Sequence, residues 1–221
     1  MLLRALDPSG VHLCDGEHGD LRALVHELLH EAVHDSDKAA LLLDGGHVFD
    51  PYDAADLNMT RGYPAAFGAE RTLIRRTLTP YQWHHALTED LDAKLVATPA
   101  RILIAAPFEA LFVTEELEEW ERRDYCQHAM ACLRATSRRF SVPVAIMADV
   151  AGLWHRHPQI GTIIVKQSDR WLGTKRTPGG WEITDMRSSE RILEARGKLR
   201  TLDDFPTSQP MALPATGSLR T

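Results

Sequence analysis

The chain has 221 residues, 44% of them hydrophobic and 25% charged, and a formal net charge of −6. This composition predicts a globular protein with a substantial core, and the acidic balance excludes a general binder of polyanions. Three cysteines without paired spacing argue against a disulfide framework, and no apolar run approaches the roughly 20 residues of a membrane span, so we expect a cytoplasmic protein with no membrane partner.

Short apolar runs alternate along the chain with longer amphipathic stretches. The runs predict buried strands at residues 10–14, 39–43, 73–76, 101–106 and 143–148. The amphipathic stretches predict helices at residues 20–34, 51–61, 80–95 and 115–140, the first of them capped by Asp20. Strands that are apolar throughout and alternate with helices are typical of a parallel sheet covered on both faces.

The pattern changes after residue 161. Residues 162–166 and 181–184 are separated by polar and glycine-rich residues, which predicts an antiparallel hairpin at one edge of the sheet. Residues 201–221 are rich in Pro, Ser and Thr and predict a flexible tail. The sequence therefore predicts one α/β domain over residues 1–200, with a mostly parallel central sheet, helices on both faces and a C-terminal antiparallel hairpin.

The first predicted helix contains the sequence HELLH at residues 26–30. Two imidazoles at positions i and i+4 with an intervening glutamate are the arrangement of zinc hydrolases, so His26 and His30 are candidate ligands. A catalytic zinc also needs a third protein ligand, and no further residue follows at the spacing of that class of enzyme. We interpret the histidine row as the polar surface of a helix and expect no metal site.

The turn between the first strand and the first helix reads Gly16-Glu17-His18-Gly19-Asp20-Leu21-Arg22-Ala23. It resembles the P-loop of RecA/RadA-type recombinases, which has the form GExxGSGKT, and further segments resemble that family in the same order. They are residues 44–51, 76–82, 102–107, 143–150 and 162–180. The resemblance spans about residues 10–185 and implies a RecA-like P-loop NTPase fold.

The departures from the family pattern fall on the residues that ATP hydrolysis requires. Leu21 replaces a P-loop glycine, Arg22 the lysine that reaches the terminal phosphates, and Ala23 the hydroxyl that holds magnesium. Gly46 stands at the position of the catalytic glutamate, and Ala106 at the position of the Walker B aspartate. Because phosphoryl transfer depends on all these groups, we expect a pseudo-ATPase with no catalytic residues and no cofactor.

Two loops carry DNA contacts in the family, one after the Walker B strand and one after the strand at residues 143–148. The first is acidic here and would repel phosphate. The second, residues 151–160, contains Trp154 and Arg156, a mixture suited to base stacking and backbone contact. Further candidate DNA contacts follow along the predicted hairpin at Lys166, Arg170, Lys175 and Arg176. A solvated hairpin face is the alternative interpretation of these charges.

The resemblance implies a non-catalytic protein that acts in DNA recombination or repair, through single-stranded or double-stranded DNA, an active recombinase or another repair protein. Two alternatives remain open at this point. One is a regulator of cell division or damage response that binds a protein partner through the same fold. The other is a zinc-dependent hydrolase built on His26 and His30.

Overall fold

The computed structural model describes residues 2–110 and 112–196, so the tail predicted at residues 201–221 lies outside the described residues. The strands are β1 Gly10–Asp15, β2 Ala39–Asp44, β3 Thr72–Arg76, β4 Ala100–Ala106, β5 Pro143–Ala148, β6 Arg170–Thr177, β7 Gly180–Asp185 and β8 Glu190–Arg196. The helices are α1 His18–His34, α2 Pro51–Thr60, α3 Pro80–His85, α4 Leu91–Ala97, α5 Glu119–Phe140, α6 Val150–Arg156 and α7 Pro158–Gln167. A π-helical turn at Ala86–Asp90 joins α3 to α4, so this part of the chain is helical nearly as predicted.

All eight described strands belong to one sheet, in the order β3-β2-β4-β5-β1-β6-β7-β8. The six strands from β3 through β6 in this order pair in parallel, while β7 and β8 each run antiparallel to the strand before them. The predicted α/β architecture, with a mostly parallel sheet and a C-terminal antiparallel hairpin, is confirmed. The hairpin consists of β6 and β7, whereas its predicted first strand at residues 162–166 lies inside α7, so that part of the prediction is wrong.

Residues of the parallel strands alternate between two hydrophobic clusters, one on each face of the sheet. Along β2, Leu41 and Leu43 belong to one cluster, whereas Ala40 and Leu42 belong to the other. The first cluster also contains residues of α3 to α7, and the second contains the buried face of α1. Helices therefore cover both faces, which is why the central strands are apolar at most positions.

Two helices begin at other residues than predicted because of local capping. A capping box of Glu118 and Glu121 starts α5 later than the sequence predicts. Helix α1 begins earlier, with Glu17 rather than Asp20 at the cap position, so the predicted cap is wrong. The Asp20 carboxylate instead accepts the N–H of Arg176 in β6 at 3.0 Å. None of the described helices is both long and apolar enough to cross a membrane.

Candidate functional site

The carboxyl ends of β1, β2, β4 and β5 meet at one edge of the sheet, the kind of edge where open parallel sheets bind ligands. The connection from β1 to α1 is only Gly16 and Glu17, because α1 already begins at His18. Residues 18–20 therefore form the first helical turn and not a loop that could surround a phosphate. Gly16 is required by packing, since a side chain there would come within 2.7 Å of the Thr174 carbonyl oxygen in β6.

The following residues of the P-loop-like segment make contacts within the fold. Leu21 lies in the core with 4% of its surface exposed. The Arg22 guanidinium pairs with the carboxylates of Asp50 at 3.2 Å and Asp53 at 2.7 Å, which ties α1 to α2. Ala23 is half-buried beside the same core. These three side chains serve packing and helix–helix contact.

The positions that match the two acidic groups of the family lie at the ends of β2 and β4. Ala106 is buried, with 1% of its surface exposed. Gly46 lies against Pro107, whose ring would be 2.7 Å from any side chain at position 46. The carboxylate that is present here, Asp44, accepts three N–H groups of the following turn, among them that of Val48 at 2.9 Å. It therefore organises the turn after β2.

Three carboxyl groups outside the predicted site converge where β1 and β5 end. Asp15 accepts the backbone N–H of Val150 and the indole N–H of Trp171, both at 3.0 Å. Glu109 accepts the N–H of Asp149 at 3.2 Å. The Asp149 carboxylate itself caps α6. All three carboxyl groups therefore accept N–H groups at the start of that helix. Acidic residues directly after apolar runs were the sequence signal for this cluster.

This strand edge is an acidic environment. Burial raises the pKa of Asp15 and of Glu109, because removal from water disfavours the charged carboxylate. Glu109 is 7% exposed, and its Oε2 has no hydrogen-bond partner. A phosphate at this edge would therefore meet carboxyl groups where a P-loop offers a lysine. Among residues 2–110 and 112–196, no group of three or more His, Cys, Asp or Glu side chains is arranged to hold a metal ion.

The histidines of HELLH are buried, so their interpretation as a polar helix surface is wrong. His26 and His30 are 5% and 6% exposed, because α2 and the turns beside it pack over them. The Nδ1 atom of His30 bonds the side-chain oxygen of Asn58 at 2.7 Å, while the Nε2 atom of His26 accepts a backbone N–H at the start of α2. Glu27 forms an ion pair with Arg61. The polar residues of the motif therefore hold α2 against α1.

The six residues predicted to contact DNA do not form one surface. Arg170 and Arg176 lie near opposite ends of β6, about 20 Å apart at the ordinary rise of a strand. Arg170 pairs with Asp185 at 3.5 Å and donates to a backbone carbonyl at 2.8 Å, so it is occupied within the fold. Lys175 and Arg176 are exposed at the carboxyl end of β6, beside the Asp20 carboxylate.

The other three candidates lie in helices and not in the predicted loop and strand, because residues 150–167 fold into α6 and α7. Trp154 packs edge-on against Trp171, with 5.5 Å between ring centroids, and stays 44% exposed. Arg156 and Lys166 are exposed and have no carboxylate partner in the described part of the chain. These two cations are free to meet an anion from solvent.

Known proteins give no independent assignment of the site. A scan against protein-family models finds no match, and a search among curated proteins finds none either. Function is therefore inferred from the geometry and charge of the described residues.

Proposed function

We propose that the chain is a non-catalytic RecA/RadA-like protein that acts as an accessory factor in DNA recombination or repair by binding DNA. The observation that carries the non-catalytic part is the two-residue connection between β1 and α1. A P-loop holds a nucleotide with the N–H groups of an open loop and with a lysine and a hydroxyl at the helix start. Here Leu21 lies in the core and Arg22 is held in ion pairs.

The sheet supports the RecA-like part of the proposal. Six parallel strands covered on both faces and followed by an antiparallel hairpin agree with the fold that the sequence resemblance implies. Residues 10–23 form a strand, a turn and the start of a helix, as the resemblance expects. Residues 102–107 and 143–150 contain neighbouring strands that end at the same edge.

Exposed cations without an ion-pair partner support DNA binding. Arg156, Lys166, Lys175 and Arg176 are exposed, and within residues 2–110 and 112–196 none of them is in an ion pair. Such side chains can neutralise phosphates without first breaking an ion pair, and release of the counterions favours binding. Because the net charge of the whole chain is −6, we expect a local contact and not the wrapping of DNA around the molecule.

A thermal-shift titration tests this function. Purified protein is melted with ATP–magnesium, with a single-stranded oligonucleotide and with a duplex, since a ligand that binds only the native state raises the Tm with the logarithm of its concentration. We expect DNA to raise the Tm and ATP–magnesium to leave it unchanged. Stabilisation by ATP–magnesium would contradict the non-catalytic assignment. An unchanged Tm with both forms of DNA would contradict DNA binding and favour a protein partner.

A further inference from the structure

A groove runs between α5 and α7, which pack side by side over one face of the sheet. It contains two adjoining cavities of about 420 and 300 Å³. Arg123, Pro158 and Gln159 line both cavities, so the two form one continuous depression that is open to solvent.

Cationic side chains converge at one end of this α5–α7 groove. Arg122 and Arg123 reach it from α5, and Arg156 and His157 reach it from the corner between α6 and α7. The pKa of His157 lies below its ordinary value because the ring is partly desolvated and because the charges of Arg122 and Arg156 oppose its protonation. The guanidinium groups of Arg122 and Arg156 are therefore both close enough to influence the same imidazole.

The three arginines of the groove have no carboxylate partner among the described residues, whereas nine other arginines do. Ion pairs are formed by Arg22, Arg61, Arg71, Arg75, Arg76, Arg134, Arg139, Arg170 and Arg191. Arg122 donates to the Thr114 carbonyl at 2.8 Å, and its Nε is buried without a partner. Arg156 donates to a carbonyl of its own helix at 3.3 Å. Neighbouring guanidinium groups that are not in ion pairs leave positive charge on the walls of the cavity.

One carboxylate lines the groove together with these arginines, and others lie at the start of α5. Glu119 lines the same cavity and accepts a hydrogen bond from the Gln159 amide at 2.9 Å across the groove. Glu118 and Glu121 are engaged in the capping box at the start of α5. Three arginines thus line the groove against one carboxylate.

The groove extends as a strip with an aromatic side chain at its margin. Thr162 and Ile163 line it on α7, and Lys166 follows them by one helical turn, so its ammonium extends the same face. On α5, Trp120 is 64% exposed and precedes Arg123 by three residues, which puts the indole on the adjoining face. An indole beside guanidinium groups is a combination on which unpaired bases stack.

We propose that the α5–α7 groove binds the phosphate backbone of single-stranded DNA, with its arginines on phosphates and Trp120 stacked on a base. This inference rests on the proposed DNA-binding function and specifies its site. An exposed indole at the margin favours a single strand over a duplex, because only unpaired bases are free to stack on it. The ammonium of Lys166 receives a further phosphate of the same strand.

Fluorescence anisotropy with a labelled oligothymidylate of about 16 nucleotides tests this site, since that length covers an ordinary single-strand site. The groove variant removes three exposed charges and consists of Arg123→Gln, Arg156→Gln and Lys166→Gln. The matched control removes the same charge from exposed positions elsewhere and consists of Lys94→Gln, Arg101→Gln and Arg138→Gln. Circular-dichroism melting of both variants verifies that they fold.

We expect the groove variant to raise the Kd for the oligonucleotide roughly tenfold or more, because three phosphate contacts are lost. The slope of log K against log salt should become shallower by about 2, whereas the control should keep most of the wild-type slope. Trp120→Ala should raise the Kd roughly tenfold with an unchanged salt slope, because it removes stacking and no charge.

Three results would overturn the groove assignment, and they differ in what they leave standing. Equal weakening by the groove variant and the control, or a preference of the wild-type protein for a duplex of the same length, would reject the groove and leave DNA binding intact. Absence of binding by the wild-type protein at low salt would reject both the groove and the DNA-binding function. The behaviour of the wild-type protein alone separates these cases.

Discussion

The strand edge after β1 and the α5–α7 groove offer an anion opposite environments. At the edge, Asp15 and Glu109 surround the start of α6, and the one arginine of the P-loop-like segment, Arg22, is neutralised by two aspartates. In the groove, Arg122 and Arg156 have no carboxylate partner and act on the same imidazole. The segment that resembles a P-loop thus lies in an acidic environment, and the site that we propose for phosphate lies between two helices.

The two regions differ because the fold depends on apolar core residues, whereas anion binding depends on exposed charges. The strand–turn–helix at residues 10–34 keeps its position because its apolar side chains build the core on one face of the sheet. Binding of an anion depends on a few unpaired cations. Such cations can stand on different surfaces of the same fold without any change of the sheet. We therefore expect substitutions at the edge to change stability and substitutions in the groove to change binding.

The largest effect is expected from restoring the P-loop sequence. Leu21→Gly combined with Arg22→Lys and Ala23→Thr should lower the free energy of unfolding by roughly 4–5 kcal/mol, because a buried leucine is lost and a glycine enters a helix. Calorimetry should detect no ATP–magnesium binding, because the two-residue turn remains. The double variant without Leu21→Gly is the control and should lose about 1 kcal/mol, the cost of weakening the Arg22 ion pairs. A triple variant that keeps the wild-type stability and binds ATP–magnesium would contradict the contrast between the strand edge and the α5–α7 groove.

A smaller effect is expected at the histidines of α1. His30→Ala should cost roughly 2–3 kcal/mol in urea denaturation, because it leaves a cavity and an unpaired Asn58 amide oxygen. Glu27→Gln, which removes a partly exposed ion pair, should cost about 1 kcal/mol or less. Neither change should alter the Kd for single-stranded DNA. Zinc that raises the Tm of the wild-type protein, and no longer does so in His30→Ala, would restore the metal-site interpretation.

A still smaller effect on stability is expected at Glu109, whose buried carboxyl group is costly to ionise. Because the folded-state pKa of Glu109 is raised, its contribution to stability is most favourable at low pH and declines as pH rises from the ordinary glutamate pKa through the raised one. Glu109→Gln keeps an oxygen for the Asp149 N–H and removes the charge. At neutral pH it should stabilise the fold by on the order of 1 kcal/mol, because the folded chain no longer has to bury a charge or keep a proton on this group.

The matched measurement for Glu109→Gln is urea denaturation of both proteins at about pH 4 and at neutral pH. The difference in the free energy of unfolding between variant and wild type should be larger at neutral pH. There the folded wild-type chain must either bury a charged carboxylate or keep a proton that the unfolded chain releases. A difference that is the same at both pH values would show that the carboxyl group of Glu109 does not titrate differently in the folded chain.

The smallest effect, and the most local, is expected at His157. Its pKa is lowered by partial burial and by the guanidinium groups of Arg122 and Arg156. A phosphate bound between these groups would offset their charge, so the pKa should rise when single-stranded DNA saturates the protein. The imidazole proton resonances followed by NMR against pH, with and without oligonucleotide, measure this change. An unchanged pKa at saturation would place the DNA elsewhere.

The parallel core could be predicted from the sequence because its strands are short apolar runs. Residues 39–43 and 102–106 are buried, so an apolar run alone was enough to identify each strand. The error at residues 162–166 arose where a β-branched run, Ile163-Ile164-Val165, has a strand preference that tertiary packing overrides. Pro158 at the first helical position and the burial of Ile160 and Ile164 on one face form a helix there instead.

The site was harder to predict because it depends on which elements pack together. Burial of His26 and His30 required knowledge that α2 lies across α1. The acidic run before α5 predicted repulsion of phosphate, and one of its glutamates, Glu118, forms the capping box of that helix with Glu121. Arg122 and Arg123 follow soon after that run, yet only the packing of α7 beside α5 brings them towards Arg156.

The most direct test reads both regions at once. Backbone amide resonances of the protein are assigned and followed by NMR while single-stranded oligonucleotide, and separately ATP–magnesium, is added. We predict shifts from single-stranded DNA in residues 119–127 and 156–166, and no shifts from either ligand in residues 16–23. Shifts from ATP–magnesium in residues 16–23, or shifts from DNA confined to the strand edge, would contradict the separation of fold and ligand site.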